Sequence, residues 1–312
     1  MTDIRGQALC IINPVAGRKG RGEKVWHSLQ SIVSEYYAVS VHYTKPCHTA
    51  TACIKENMNG KDIIICIGGD GTLNEVVATI VENGLSIPLL YVPAGTTNDF
   101  ARTIRASSDT GTIEELLNKG MIVPHDVGFF NDKLIFVYVA AFGTLTRAAS
   151  GTSQKMKNRL GYLAYLWSGF KYLLKTKPVQ ATITTDTDII TGKFLFGFIS
   201  NSTSVGGMIR LKDNKVALND GSFEILLCRY PNSILSFLIT SAKLLWGRFD
   251  GKQLLLTHTS YVNVRCDDEI QWTIDGEPIK SATNNIDIKI CQNAYKLYIS
   301  RQVCNGKLYM GG

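Results

Sequence analysis

Short apolar runs and amphipathic stretches alternate through the first half of this chain, and that alternation limits the fold more than any other feature. Ala8–Ile12, Val39–Tyr43, Ile63–Ile67 and Leu89–Val92 read as strands. Between them, Glu23–Tyr36, Thr49–Asn57 and Leu73–Glu82 carry helical spacing. Strands separated by helices imply a parallel sheet with helices on its faces. In open sheets of this kind ligands bind beyond the carboxyl ends of the strands. Three polar, glycine-bearing loops fall at such ends: Asn13–Gly17, Gly68–Thr72 and Pro93–Asp99.

The middle loop is the richest. Ile67–Glu75 reads Ile-Gly-Gly-Asp-Gly-Thr-Leu-Asn-Glu, after the buried run Asp62–Ile67 and before a helix with Leu73, Val76, Val77, Ile80 and Val81 on one face. Thr72 and Glu75 have capping-box spacing, which predicts a helix starting at Thr72. Glycines at a strand-to-helix turn let the backbone approach a ligand, and a helix N-terminus favours an anion. Asp70 has no packing role among those glycines. A carboxylate beside a phosphate site is repulsive unless a cation lies between, which points to a metal–nucleotide complex.

The other loops are weaker alone. Asn13-Pro-Val-Ala-Gly17, followed by Arg18-Lys-Gly-Arg-Gly22, suits nucleotide phosphates but also an ordinary strand-exit turn. Neither a P-loop nor a Gly-x-Gly-x-x-Gly fingerprint is present. In Pro93–Arg102, Thr96, Thr97 and Asn98 can hydrogen-bond a nucleotide, and Asp99 can join Asp70 around a cation; Asn98 or Asp99 can equally cap a helix. Thr273-Ile-Asp-Gly-Glu-Pro278 reads as a tight hairpin turn, and Asn219-Asp-Gly-Ser222 as a turn in which Asp220 is a metal candidate.

After about residue 128 the texture becomes mainly antiparallel. Leu134–Ala140, Ala181–Ile190, Lys193–Ser200, Ser222–Arg229, Leu254–Val264, Glu269–Ile274 and Ile286–Cys291 are strand-like, with Thr191-Gly192 read as a turn. Helical segments interrupt them near 157–175 and 233–246. A chain of 312 residues suits about two domains.

The eight cysteines form no Cys-x-x-Cys pair, so buried free thiols are expected rather than a zinc site. No apolar leader opens the chain, and no uncharged run reaches the roughly 20 residues of a spanning helix, so a cytoplasmic protein is expected. The +7 net charge is uneven. Arg147, Lys155, Lys157, Arg159, Lys171, Lys175 and Lys177 lie in a stretch without acidic residues that includes the aromatic-rich segment 161–175. That suits an anionic membrane surface, although a core helix with solvated flanking charges gives the same pattern. No nucleic-acid-binding signature accompanies the charge, and no nucleic-acid partner is expected.

Taken in order, Asn-Pro-x-x-Gly, Gly-Gly-Asp-Gly-Thr-x-Asn-Glu, Pro-x-Gly-Thr-x-Asn-Asp and a late Asp-Gly-Glu resemble the diacylglycerol kinase catalytic-domain family, most of all its soluble bacterial members. The resemblance covers nearly the whole chain. It implies an N-terminal three-layer α/β nucleotide-binding domain like that of NAD kinases and diacylglycerol kinases, and a C-terminal antiparallel β-sandwich. The first would span residues 1–128, with about 296–312 returning to it; the second, 129–295, would take the lipid.

The resemblance further implies ATP held by Asn13, Pro14, Val15, Ala16, Gly17, Thr44, Gly68, Gly69, Asp70, Gly71 and Thr72. Asn74, Glu75, Gly95, Thr96 and Asn98 are assigned to the same site. Glu277 becomes the general base and Asp70 its catalytic partner, which requires the two to converge on one γ-phosphoryl group. Asp70, Asp99 and Asp126 would organise Mg²⁺ through waters. A second, structural Mg²⁺ carries onto the Asp220 side chain with the carbonyls of Ala217 and Ser222. Here Asn219 replaces the family's first aspartate, which leaves occupancy open.

The activity so implied is ATP- and Mg²⁺-dependent phosphorylation of a lipid alcohol, diacylglycerol first. Phosphatidylglycerol, a sphingoid base, a polyprenol or a soluble nucleotide (as in NAD kinases) are the alternatives. The stretch 155–177 and helix 233–246 then form a membrane-facing rim, with the protein at the inner face of the membrane. Oligomeric state, homodimer included, stays open.

Overall fold

The structure, a computed structural model, describes residues 4–17, 20–143, 177–202, 204–205, 209–210, 217–249, 251–280, 283–303 and 308–309. The basic aromatic stretch 155–176, Arg18-Lys19 and residues 211–216 lie outside them. The chain divides into two compact units: Met1–Val127 with Asp213–Gly221 and Cys291–Gly312, and Gly128–Lys212 with Ser222–Ile290.

The first unit opens with the expected alternation: β1 (Gln7–Ile12), α1 (Arg21–Tyr36), β2 (Ala38–Tyr43), α2 (Ala50–Asn57), β3 (Ile63–Gly68), α3 (Asp70–Glu82) and β4 (Pro88–Pro93). The strands run parallel in the order β2-β1-β3-β4. Residues Ala8–Ile12 of β1 and all of β3 are buried, Cys10 and Cys66 among them, because helices cover both faces of a parallel sheet. Burial pushes both thiols up, so they stay protonated hydrophobes. From α1, Val25, Trp26, Leu29, Val33 and Tyr36 pack as one stripe against the sheet core.

Two short helices follow, α4 (Asp99–Thr103) and α5 (Thr110–Lys119). No helix was expected at α5, although Ile113, Leu116 and Leu117 have the spacing and Asp109 caps it, accepting from the Thr112 N–H at 2.9 Å.

The second unit is antiparallel. Its strands are β5 (Met121–Phe130, which begins in the first unit), β6 (Leu134–Phe136), β7 (Val139–Gly143), β8 (Val179–Thr185) and β9 (Ile189–Ser200). The short pair β10 (Ser204–Val205) and β11 (Ile209–Arg210) precedes β12 (Phe223–Arg229). Then come α6 (Ile234–Leu245), β13 (Leu254–Thr259), β14 (Tyr261–Cys266), β15 (Gln271–Ile274), β16 (Glu277–Lys280) and β17 (Asn285–Ile299). A sheet runs in the order β16-β15-β7-β9-β8-β14-β17, with β12 bridging β9 and β13. Its core is aromatic: Trp272 meets Phe130 edge-on and Phe142 at a tilt, with ring centroids 5.1 and 5.0 Å apart. Strand β17 carries the chain back into the first unit, where Leu297 pairs with Leu89 of β4, and a short α7 (Arg301–Val303) follows.

One turn is displaced from its expected place. Thr191-Gly192 lies inside β9, paired with Thr182 and Ala181, and the reversal is at Asp186-Thr187 instead. The Asp186 carboxylate explains it, accepting from the Ser260 N–H and from the Ser260 and Thr259 hydroxyls, each at 2.8 Å. Gly192 faces the Arg229 guanidinium, the movable end of a long side chain, so nothing there requires a turn.

Seven cysteines are free among the described residues. Among the described residues no helix is long and apolar enough to cross a membrane.

Candidate active site

The three glycine loops meet at the carboxyl ends of the neighbouring strands β1, β3 and β4. Asn13 leaves β1, donates its main-chain N–H to Ile67 at 2.9 Å and its side-chain amide to the Thr72 hydroxyl at 2.9 Å. Its own side-chain oxygen accepts from the Val15 N–H at 3.2 Å, which fixes the Pro14-Val15 turn and leaves Val15 exposed while Ala16 is buried. The Ala94 N–H reaches the Gly68 carbonyl at 2.8 Å. Gly69 and Gly95 are in backbone contact: a Cβ on Gly95 would stand 2.6 Å from the Gly69 Cα. Gly17, at φ +70°, presses as closely on the Ala94 carbonyl. From β2, the Thr44 N–H is tied to the Ile12 carbonyl at 2.9 Å. The side chain of Thr96 is exposed on the third loop, and a Cβ on Gly71 would meet open space. The result is a cradle of main-chain groups beside the N-terminus of α3, suited to phosphate.

Two carboxylates sit at its edge. Asp70 is the first residue of α3, and its Oδ2 accepts from the Asp99 N–H at 3.2 Å. Asp99 is 5% exposed, and burial raises its proton affinity while Arg102, 3.3 Å away, partly offsets the effect. Asn98 adopts a left-handed conformation at φ 48° and donates to the Gly95 carbonyl at 3.0 Å, while its buried Oδ1 has no hydrogen-bond partner among the described residues. A buried acceptor without a donor and a buried acid held above its usual range both favour a donor or cation there.

The residues fit Mg²⁺ in a limited sense. Among the described residues no three His, Cys, Asp or Glu side chains converge, so there is no all-protein cage. Mg²⁺ needs none, since it keeps waters and takes one or two carboxylates with phosphate oxygens. Asp70 and Asp99 meet that requirement.

The capping box does not form. Gly69 is the N-cap of α3 and makes no side-chain cap bond, and the helix begins two residues before Thr72. The Thr72 hydroxyl is taken by Asn13, and the Glu75 carboxylate accepts from the Ala50 N–H of α2 at 3.0 Å. Glu75 therefore caps a neighbouring helix, with its charge at that helix N-terminus. Asn74 is half-buried on the same turn.

Asp126, buried on β5, forms a second acidic centre in the first unit. Its carboxylate accepts from the Gly221 N–H at 2.8 Å and the Asn293 N–H at 2.7 Å. Burial raises its proton affinity, those two bonds lower it, and the charge of Asp220 raises it further. A cation between Asp126 and Asp220 would relieve that repulsion. The 219–222 turn was expected within the second domain. Leu218 instead bonds to Leu308 and Asp126 through the main chain, which holds residues 217–221 in the first unit; Ser222 belongs to the second.

Glu277 stands in the second unit as the first residue of β16, with its side chain exposed. Asp275 and Gly276, at φ 47° and 86°, form the two-residue hairpin turn. The buried Asp275 carboxylate accepts three main-chain N–H bonds, from Val137 at 2.7 Å and from Tyr138 and Val139 at 3.0 Å. Sequence reasoning missed this residue, and its only local signal was the Asp-Gly pair.

The diacylglycerol kinase catalytic domain family matches residues 7–130. A diacylglycerol kinase of Bacillus subtilis (strain 168) is 30% identical over 273 residues, covering 87% of this chain and 89% of that protein. The chain belongs to the diacylglycerol kinase family. It is a lipid kinase of that type. A diacylglycerol kinase of Staphylococcus aureus (strain MRSA252) is 28% identical over 276 residues, covering 88% of this chain and 87% of its own. A crystal structure of a diacylglycerol kinase from Bacillus anthracis str. Sterne shares the fold, with a TM-score of 0.74 at 19% identity, over 97% of this chain and 100% of that one.

His125, beside Asp126, also shapes this lipid kinase's first unit. It is fully buried, edge-on to Phe100 and Tyr295, with Nδ1 3.1 Å from the Tyr309 hydroxyl. Burial pushes its imidazole down to about 3, so it is a neutral packing element rather than a proton carrier.

Proposed function

We propose that the protein transfers the γ-phosphoryl group of ATP to the hydroxyl of diacylglycerol, giving phosphatidic acid, with the acceptor taken from a membrane surface. The observation that carries the reading is the meeting of the three glycine loops around Asp70 and Asp99. Main-chain N–H groups of Gly68–Thr72 and Gly95–Thr96 bind the phosphates, and Asn13 braces the first loop against the second. Asp70 and Asp99 hold Mg²⁺ through water, and Asp126 with Asp220 and the carbonyls of Ala217 and Ser222 holds a second, structural ion. Mg²⁺, when bound, supplies charge neutralisation on the transferring group.

Glu277 accepts the proton of the attacking lipid hydroxyl. Such a base typically contributes 10²–10⁴-fold. Asp275 orients it by anchoring the turn from which it projects.

The test is purified protein with Mg-ATP and a panel of lipid alcohols in detergent micelles, with NAD as the soluble control. Phosphatidic acid formation from diacylglycerol above all other acceptors is expected. Phosphorylation of NAD without micelles, or of another lipid alone, would contradict the assignment.

A further inference from the structure

The first unit holds a cavity of about 450 Å³, and none of its described lining residues belongs to the phosphate cradle, the carboxylates or the acceptor base. Small-molecule pockets run to roughly 300–1,000 Å³, so the space is of that class. It lies between α5, the chain leaving α4, and the end of β17 with α7. Tyr91, Ile104, Ile113, Ile299 and Val303 line it and are each 4% exposed or less, which gives it an apolar floor. Its exposed charges are uneven. Arg105, Lys119 and Arg301 stand around it, and Glu115 is the acid among the described lining residues.

Floor and rim together select the ligand. A bare anion would use the cations and leave the aliphatic floor wet, whereas a neutral chain would leave three cations without a partner of its own. A chain that ends in a phosphate or carboxylate uses both.

Two walls of the cavity continue into the candidate active site. Tyr91 lies on β4, and its hydroxyl donates to the Gly68 carbonyl at 3.4 Å. Its ring is tilted against Phe100 of α4, with centroids 6.3 Å apart. Ile104 follows the last turn of α4, the helix that starts at Asp99, and its N–H donates to the Phe100 carbonyl at 3.1 Å. A ligand on this floor therefore touches side chains that brace the second glycine loop and the helix of the second carboxylate.

We infer that the cavity is an effector site for a single-chain amphiphilic anion, with its chain on Tyr91 and Ile104 and its headgroup among Arg105, Lys119 and Arg301. An occupied cavity holds Tyr91 on the Gly68 carbonyl and Ile104 beside α4. The cost of ordering those walls is then met once for both ligands, and nucleotide binding tightens. The coupling rests on the nucleotide reading of the glycine loops, while the anion site does not.

The experiment is calorimetry on the full chain, without nucleotide, using decyl phosphate and decanoate below the concentrations at which they form micelles. Saturable binding is expected, displaced by neither decyl maltoside nor inorganic phosphate, and the tighter of the two anions identifies the headgroup. Lys119→Glu with Arg301→Glu should weaken binding about tenfold or more at an unchanged melting temperature, and Lys119→Arg should retain it. Ala106→Phe, which fills the cavity from a half-buried lining position, should abolish it. Decyl phosphate should tighten ATP binding about fivefold. Tyr91→Phe, without the hydroxyl on Gly68, should bind decyl phosphate and lose that coupling.

No binding by wild type, or binding that the charge-reversed pair and Ala106→Phe leave intact because the chain sits in the acceptor site, would overturn the proposal. Unchanged or weakened ATP affinity in the presence of decyl phosphate would overturn the effector role. A protein that binds decyl phosphate in the cavity but no ATP would sink the nucleotide assignment alone.

Discussion

Two aspartate–glycine turns, one in each unit, hold the same residue types in contrasting surroundings, and the proposed function assigns one to chemistry and the other to architecture. In Gly69-Asp70-Gly71 the carboxylate stands at a helix N-terminus, beside a second buried acid and a main-chain cradle. In Asp275-Gly276 the carboxylate is consumed by three main-chain N–H groups. Glu277, two residues on, is the exposed acid of that hairpin. On the proposed reading, what separates the two carboxylates is their surroundings, a helix N-terminus and a buried acid for Asp70 and three main-chain donors for Asp275, which residue type cannot reveal.

Substitutions can break this contrast, taken from the largest expected effect. Asp70→Ala should lower turnover by about 10³-fold or more, because charge positioning is the main catalytic term, with little change in melting temperature. Glu277→Gln should lower turnover by about 10²–10⁴-fold while nucleotide affinity, read by calorimetry, is kept. Asp275→Ala should behave oppositely, losing about 3–5 kcal/mol in urea denaturation because three buried donors lose their partner. Equal stability losses in Asp70→Ala and Asp275→Ala would erase the distinction.

A smaller effect comes from Gly95→Ala, whose Cβ would meet the Gly69 Cα and the Asn98 Oδ1, each at 2.6 Å. The loops must separate, costing about 1–3 kcal/mol and weakening nucleotide binding more than acceptor binding. The last is a pH effect. His125 is lowered from 6.5 to about 3 in the fold, so the unfolded chain binds the extra proton between those values. Stability should therefore be complete above about 6.5 and fall by a few kcal/mol as pH drops toward 3. His125→Phe should flatten that slope in pH-dependent denaturation.

The alternation of strands and helices was legible because parallel strands, buried on both faces, are near-continuous apolar runs. The three loops were legible because glycine and asparagine mark the strand ends where the backbones meet. The misreadings share a cause. Thr72 and Glu75 have capping-box spacing, yet Asn13 and Ala50, distant in sequence, take their side chains. Thr191-Gly192 looked like a turn, but the Asp186 network fixes the reversal five residues earlier. In each case a tertiary hydrogen bond outcompeted a local one. The role of Asp275 was hidden for the same reason, its donors being about 137 residues away.

The most direct test is transfer of labelled phosphate from γ-labelled ATP to diacylglycerol in mixed micelles, with wild type, Asp70→Ala and Glu277→Gln compared at saturating nucleotide. The account predicts labelled phosphatidic acid from wild type and near-background label from both variants, with Glu277→Gln still binding nucleotide. Wild-type rates in either variant would contradict it.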